Sequence, residues 1–328
     1  MMVRSAGGQL VKTIRSKAAK IGIKKIVSII GTVLMFVAFF FLGRTLVAYG
    51  MDFSLLGSPL IIGGLILVAA IEGSGIVLAS VNYHALIRNV SGIKAKRSLS
   101  MLVYTISNLY KYIPGGVMYV VGRNRIAVET EGLGHGKVAF ATVVEGVSIV
   151  IGAILVGLIF SFESFFVFTN NLNVFNEVMV AIASAIIAIV IAVYCLRQKI
   201  KPFVKKFWST VDLLNIKVIA KRLGFAMALM FMWSSTFVAT MFLLGQPMDI
   251  TLAFALIGLY LLAWLAGFLT PGAPSGLGIR EVVMLMFISG FVYESILMSA
   301  MVVHRVVTVI GDVLAYGICM AVTKGGKS

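Results

Sequence analysis

The chain has 328 residues, 60% of them hydrophobic and 12% charged, with a net charge of +16 and a mean hydropathy of +1.05. The charged share is about half that of a soluble domain, and several apolar runs reach the roughly 18 residues that cross a bilayer, so a soluble globule and a β-barrel are both excluded. The basic residues cluster between the apolar runs, a positive-inside pattern that points to anionic lipid headgroups and away from nucleic acid.

Residues 1–25 carry Arg4, Lys12, Arg15, Lys17, Lys20, Lys24 and Lys25. They read as a basic cytoplasmic segment lying on the membrane surface, and no small-residue cleavage site follows, so the next run reads as a retained helix. A single membrane domain is expected over 26–322, with a short cytoplasmic tail at 323–328. Its apolar runs fall at about 26–48, 60–82, 99–121, 137–160, 178–196, 223–244, 251–269, 276–292 and 297–320. Cys195 and Cys319 sit at or within these runs without metal-ligand spacing and read as apolar filler.

Charge between the runs sets orientation. Residues 83–98 carry Arg88, Lys94, Lys96 and Arg97, and residues 197–222 carry eight Lys and Arg, so both loops are inside. Residues 49–59, 161–177 and 245–250 carry only acidic charges, so they are outside. The N- and C-termini are then cytoplasmic. Passing from inside at 83–98 to outside at 161–177 takes an odd number of crossings, yet two runs lie between. The run 99–121, interrupted by Lys111, Pro114, Gly115 and Gly116, is the one expected to dip in and return. By the same count 251–269 and 276–292, parted by Pro271, Gly272, Pro274 and Gly278, form either two crossings or one re-entrant hairpin entered from outside. Non-helical backbone at that depth survives only when buried in protein or lining a cavity.

The two interrupted regions resemble one another. "KYIPGGVMYVVGR" places Pro114-Gly115 ahead of Gly122-Arg123, and "FLTPGAPSGLGIRE" places Pro271-Gly272 ahead of Gly278, Arg280 and Glu281. Downstream, "VVEGVSIVIGAIL" from Val143 and "VVHRVVTVIGDVL" from Val302 agree at seven of thirteen positions. The fold expected is therefore all-α and polytopic, an inverted repeat with halves near 26–160 and 178–320. It has about six crossings plus a pair of broken or re-entrant hairpins, or about eight crossings where the second hairpin spans.

Ionisable residues at membrane depth cost about 2.5–3.5 kcal/mol each on insertion scales. Glu145, His304, Arg305 and Asp312 lie in or near predicted spans, as does Glu72. Arg305 and Asp312, seven residues apart, share a helix face, and Glu145 aligns with His304 in the repeat, so Glu145 and Arg305 are natural partners across a pseudo-two-fold axis. Such residues either lock two bundles together, form a polar cavity for an anionic headgroup or coupling ion, or snorkel to the interface. Arg123, Arg125 and Arg280 sit beside the breaks, where arginine forks and new helix starts suit phosphate, and Glu281 is placed to pair with Arg280 in the absence of ligand. The candidate substrate-binding set is thus Arg123, Arg125, Glu145, Arg280, Glu281, His304, Arg305 and Asp312. No nucleophile, metal or nucleotide motif appears, so no catalytic residue, metal or cofactor is expected. Asn108 and Tyr112 either line the first break or simply pack.

"NLYKYIPGGVMYVVGR", a glutamate in the next helix, "PGAPSGLGIRE" and an arginine in the last helix resemble the membrane region of the lysylphosphatidylglycerol synthase/flippase family, over about residues 25–320. The first motif is similar to the stand-alone branch, and the chain ends at Ser328 with no soluble synthase domain following. The resemblance implies a multi-pass cell-membrane protein that translocates an anionic phospholipid or a polyprenyl-phosphate-linked headgroup, not an enzyme. It also carries site roles to Pro114, Gly115, Arg123, Glu145, Pro271, Gly278, Arg280, Glu281 and Arg305. The alternatives are a membrane-embedded transferase and an accessory subunit or scaffold in lipid or glycan assembly.

Overall fold

The computed structural model describes residues 57–92, 95–112, 118–168, 216–270, 276, 278–288 and 291–325. The predicted runs 26–48 and 178–196, the basic N-terminal segment, and the break residues Pro114, Gly115, Gly116, Pro271, Gly272 and Pro274 lie outside them. The described residues are α-helical throughout their long elements: α1 (Pro59–Ser91), α2 (Arg97–Leu109), α3 (Met118–Glu131), α4 (His135–Phe168), α5 (Ile216–Leu243), α6 (Ile250–Leu269), α7 (Ile279–Ile288) and α8 (Glu294–Gly325). A 3-10 turn at Tyr110–Tyr112 extends α2.

Among the described residues, five segments are long and apolar enough to cross a membrane: Pro59–Val90, His135–Ser161, Ala220–Leu243, Ile250–Leu269 and Glu294–Gly325. Their outward faces carry Leu60, Ile66, Leu158, Phe242, Val306 and Val313, all more than half exposed, which is the inverse of a soluble surface and suits lipid. Local signals set several ends. Pro59 opens α1, where its missing N–H costs nothing. Asp249 caps α6 by accepting from the Leu252 N–H at 2.7 Å.

The two interrupted runs are not among the five. The run 99–121 becomes α2 and α3, an antiparallel pair whose first arm, 13 residues long, reaches only about 20 Å. The run 276–292 becomes α7, ten residues and about 15 Å, folded back on the longer α6. Each pair enters and leaves at one end of the bundle. At the first, the Ser100 hydroxyl near the start of α2 donates to Glu131 Oε2 at the end of α3 at 2.8 Å, and lies 3.2 Å from His84 Nδ1 near the end of α1. The Thr323 hydroxyl near the end of α8 donates to the Ser98 carbonyl at the same end. At the second, the Tyr293 N–H donates to Gln246 Oε1 at 3.1 Å, so the chain leaves α7 beside the point where it left α5. That point lies next to the start of α1, where Leu243 packs over Gly64. The two hairpin mouths therefore sit at opposite ends of α1.

The hairpins are held around a crossing of α1 and α8 that needs glycine. A methyl group added at Gly311 would come within 2.8 Å of Glu72 Cβ and 3.0 Å of the Ala69 carbonyl, and one at Gly73 would meet the Gly311 carbonyl at 2.8 Å. The close approach brings Glu72 on α1 and Asp312 on α8 into the centre of the molecule, 4% and 1% exposed.

Candidate functional site

Charged side chains at this depth persist only when partnered, and their partners define the site. Arg123 projects from α3 into the interior and is 2% exposed. Its guanidinium forms an ion pair with Glu145 on α4 and donates through Nε to the Ser107 hydroxyl on α2 at 3.0 Å. Three tyrosine rings surround it, Tyr104 at 4.2 Å, Tyr83 at 4.9 Å and Tyr119 at 5.8 Å from the guanidinium carbon to the ring centroid. The rings solvate the cation with their negative faces without supplying a second anion.

A second cluster joins the tip of the first hairpin to α8. Asp312 accepts from Asn108 Nδ2 at 2.7 Å and from the Tyr112 hydroxyl, and forms an ion pair with Lys111 at 2.6 Å. Asn108 and Tyr112 thus both bond to Asp312 on α8. Lys111, read in the sequence only as an interruption, is the cation that neutralises Asp312.

Further along α8, His304 Nδ1 lies 3.3 Å from the Thr240 hydroxyl oxygen on α5 and Nε2 lies 3.6 Å from Glu72 Oε1. The Thr240 hydroxyl hydrogen is committed to the Thr236 carbonyl at 2.8 Å, so its oxygen accepts from His304 Nδ1–H. Nε2 then faces Glu72, which also accepts from the Thr236 hydroxyl. The imidazole is fixed edge-on to Phe237 and Tyr260, both 5.5 Å away, and these two rings stack at 4.3 Å.

The second hairpin carries the fourth cluster. Gly278 adopts φ 85°, a conformation that favours glycine, and so turns the chain into α7. Its N–H donates to Glu281 Oε2 at 2.8 Å, while Glu281 Oε1 accepts from Arg305 Nε at 3.1 Å and Nη2 at 2.7 Å. Arg280 is half-buried beneath Gly267 and Gly276, with its guanidinium 5.9 Å from the Trp264 ring.

These contacts correct two expectations. Glu145 and Arg305 do not pair across the molecule. Each is answered within its own half, Glu145 by Arg123 and Arg305 by Glu281, because the second arm of each hairpin packs on the helix that follows it. Glu281 takes Arg305 and not its neighbour Arg280, since residues adjacent on a helix point about 100° apart. Arg305 and Asp312, two turns apart on α8, are answered by different hairpins. Arg125 stands apart from the four buried clusters: it is 76% exposed on the outer side of α3, paired with Glu129 one turn on. The remaining predicted residues, Arg123, Glu145, Arg280, Glu281, His304, Arg305 and Asp312, fall in or beside the four clusters, and Gly278 sits at the head of α7.

A crevice between α1, α4 and α5 adjoins the first cluster. Glu145, Asn82, Ser148 and Arg222 supply its polar wall, and Leu86, Ile149, Phe225 and Leu229 part of its apolar one. The sequence places Arg222 at the end of the basic 197–222 loop, whereas in the fold it is a buried residue of α5, 7% exposed. Among the described residues no group of three or more His, Cys, Asp or Glu stands close enough to hold a metal ion.

Residues 27–315 match a family model described as the lysylphosphatidylglycerol synthase TM region. No curated protein matches the chain.

Proposed function

The chain belongs to the lysylphosphatidylglycerol synthase family through its membrane region, and from that premise we propose that it is a lipid translocase, moving a lipid with a phosphate-bearing headgroup between leaflets without covalent change. The observation that carries this reading is a pair of ion pairs of swapped sign, the first buried and the second half-buried at its arginine. Arg123–Glu145 and Glu281–Arg305 join the second arm of each hairpin to the following helix, and the matched positions lie 158 and 160 residues apart. The hairpin mouths at opposite ends of α1 are what an inverted repeat requires, and in such folds the substrate site lies near the midplane at the repeat interface.

In this mechanism a lipid phosphate entering from either leaflet meets an arginine already held by a carboxylate. Phosphate oxygens accept from the same guanidinium donors as the carboxylate does, so exchange of one anion for the other is close to balanced. The displaced glutamate then repels the phosphate onward. The headgroup passes the polar centre at Glu72, Asp312 and Lys111 while its tails stay in lipid along the exposed aliphatic faces. The positive-inside assignment of residues 83–98 puts the mouth of the first hairpin and the end of α8 on the cytoplasmic side of the cell membrane.

Energy must come from outside the chain's own chemistry. The membrane potential supplies about 2.3 kcal/mol per charge per 100 mV. Glu72 and His304, titratable groups 3.6 Å apart, are placed to take up a proton as the coupling ion. Reconstitution with a fluorescent phospholipid, with dithionite quenching of the outer leaflet, tests translocation. A transferase or an accessory subunit predicts no acceleration of lipid exchange, and the transferase predicts a lipid product missing from a deletion strain.

A further inference from the structure

The crevice between α1, α4 and α5 belongs to none of the four clusters' internal pairings, and its polar wall is electrostatically incomplete. Arg222 is more than nine-tenths buried there. Among the described residues its Nε has no hydrogen-bond partner. Its Nη1 makes only long contacts to Asn82, 3.4 Å to the carbonyl oxygen and 3.2 Å to Oδ1, both neutral acceptors. The carboxylate in the same wall, Glu145, is already engaged by Arg123. Arg123, Glu145 and Arg222 therefore bring two guanidinium charges against one carboxylate, leaving a net charge of about +1 in a low-dielectric surround. A guanidinium presents five donors in a fork that fits an oxyanion, and most of this one's capacity is unspent.

We infer that Arg222 is the anchor of a phosphate-binding site in this crevice, distinct from the hairpin ion pairs. The chemistry fits a phosphate monoanion or diester: one negative charge to balance the surplus, oxygens to accept from Nε and Nη, and no need of a metal. The crevice lies about 10–20 Å in from the end of α1 where the first hairpin opens, judged at 1.5 Å per helical residue. Neighbouring residues on the same three helices, Leu78, Val147, Ile151 and Phe231, are exposed apolar side chains, so the site borders surface suited to acyl chains. The inference rests on the translocase reading in one respect: there it supplies the phosphate's first stop before Arg123 takes it from Glu145.

The test is equilibrium binding on the full chain in nanodiscs, which reads the site whether or not lipid is moved. Native mass spectrometry would follow retention of a short-chain phosphatidylglycerol, with inorganic phosphate as a separate arm. R222Q is expected to lower binding of at least one phosphate source about tenfold, with R222K retaining part of it. Loss confined to the lipid identifies a headgroup site, and loss confined to inorganic phosphate a free-anion site. N82A removes one of the neutral acceptors on Arg222, and is expected to keep or strengthen phosphate binding. A thermal melt of each variant separates lost binding from lost fold. Unchanged binding of both sources in a folded R222Q overturns the inference. So does a weakening by N82A as large as that by R222Q, which would make Arg222 a packing residue. Absence of translocation by the wild-type chain, with its phosphate binding intact, would instead strike the translocase reading.

Discussion

Arg123 and Glu281 hold corresponding places in the two hairpins with opposite charges. Each lies within the first two turns of the hairpin's second arm, and each is answered by a residue of the next helix, Glu145 for Arg123 and Arg305 for Glu281. The interior thus keeps each pair neutral while presenting an arginine from α3 on one side and from α8 on the other.

The first prediction concerns these pairs. Arg123→Ala leaves Glu145 buried without its cation, and breaking a buried pair in this way typically costs about 3–5 kcal/mol. We expect a lower melting temperature and translocation reduced at least tenfold. The reversed pair R123E/E145R should regain much of the stability and little of the transport, because the arginine then projects from α4 and loses the surrounding tyrosines. Recovery of both together would mean the pair is purely structural.

Arg125→Ala provides the contrast. Its side chain is on the outer face of α3, bonded to an exposed Glu129. Exposed pairs of this kind contribute little. Translocation within about twofold of wild type is expected, and a larger loss would return Arg125 to the site.

The hairpins' mouths can be read directly by labelling. In a background lacking Cys195 and Cys319, Gly132→Cys marks the first mouth and Tyr293→Cys the second. A membrane-impermeant maleimide added to sealed vesicles of one orientation should label only one of the two, and added to inverted vesicles only the other. Labelling of both from the same side would contradict the opposed arrangement.

Much of this architecture was legible in the sequence. Charge between the apolar runs, together with a parity count, singled out 99–121 as a run that does not cross and left 276–292 as either a crossing or the arm of a re-entrant hairpin; among the described residues neither is one of the five segments long and apolar enough to span. Of the predicted break residues, Gly278 is described, and its φ of 85° stands at the head of α7. Partner choice was not legible. Helical spacing put Arg305 and Asp312 on one face, but spacing along one helix says nothing about which neighbour comes closest. Glu145 and Arg305 were matched by symmetry, when chain connectivity decides that each hairpin packs first on its own next helix. Lys111 was overlooked as a functional cation because a lysine beside Pro-Gly reads as a helix stop. Arg222 was absorbed into a run of loop charges, and only its burial in α5 separates it from them. Arg123 differed, because an arginine just beyond a break in an otherwise apolar stretch has little reason to be there except a buried partner.

The α1–α8 crossing yields a further prediction. Gly311→Val would drive its side chain against the Ala69 carbonyl and Glu72 Cβ, backbone or backbone-proximal atoms that cannot swing away. Overpacking of this kind costs about 1–3 kcal/mol or more. A reduced yield of monodisperse protein and a lower melting temperature are expected, whereas Gly317→Val, with open space around it, should be tolerated.

Coupling is tested at Glu72. With a proton taken up at Glu72 or His304 as the coupling ion, an imposed pH gradient should accelerate net lipid movement in wild-type proteoliposomes. Glu72→Gln keeps an acceptor for the Thr236 hydroxyl but removes the titrating group. It should retain passive exchange and lose the response to the gradient. An unchanged response would locate coupling elsewhere.

The account turns on whether the two swapped ion pairs act on lipid. The most direct measurement is dithionite-quench translocation of a fluorescent anionic phospholipid in proteoliposomes, comparing wild type with R123Q and R305Q. The account predicts acceleration by wild type over empty vesicles and a loss of at least tenfold in each variant, with both still folded by thermal melt. Wild-type vesicles that exchange lipid no faster than empty ones, or folded variants that match wild type, would contradict it.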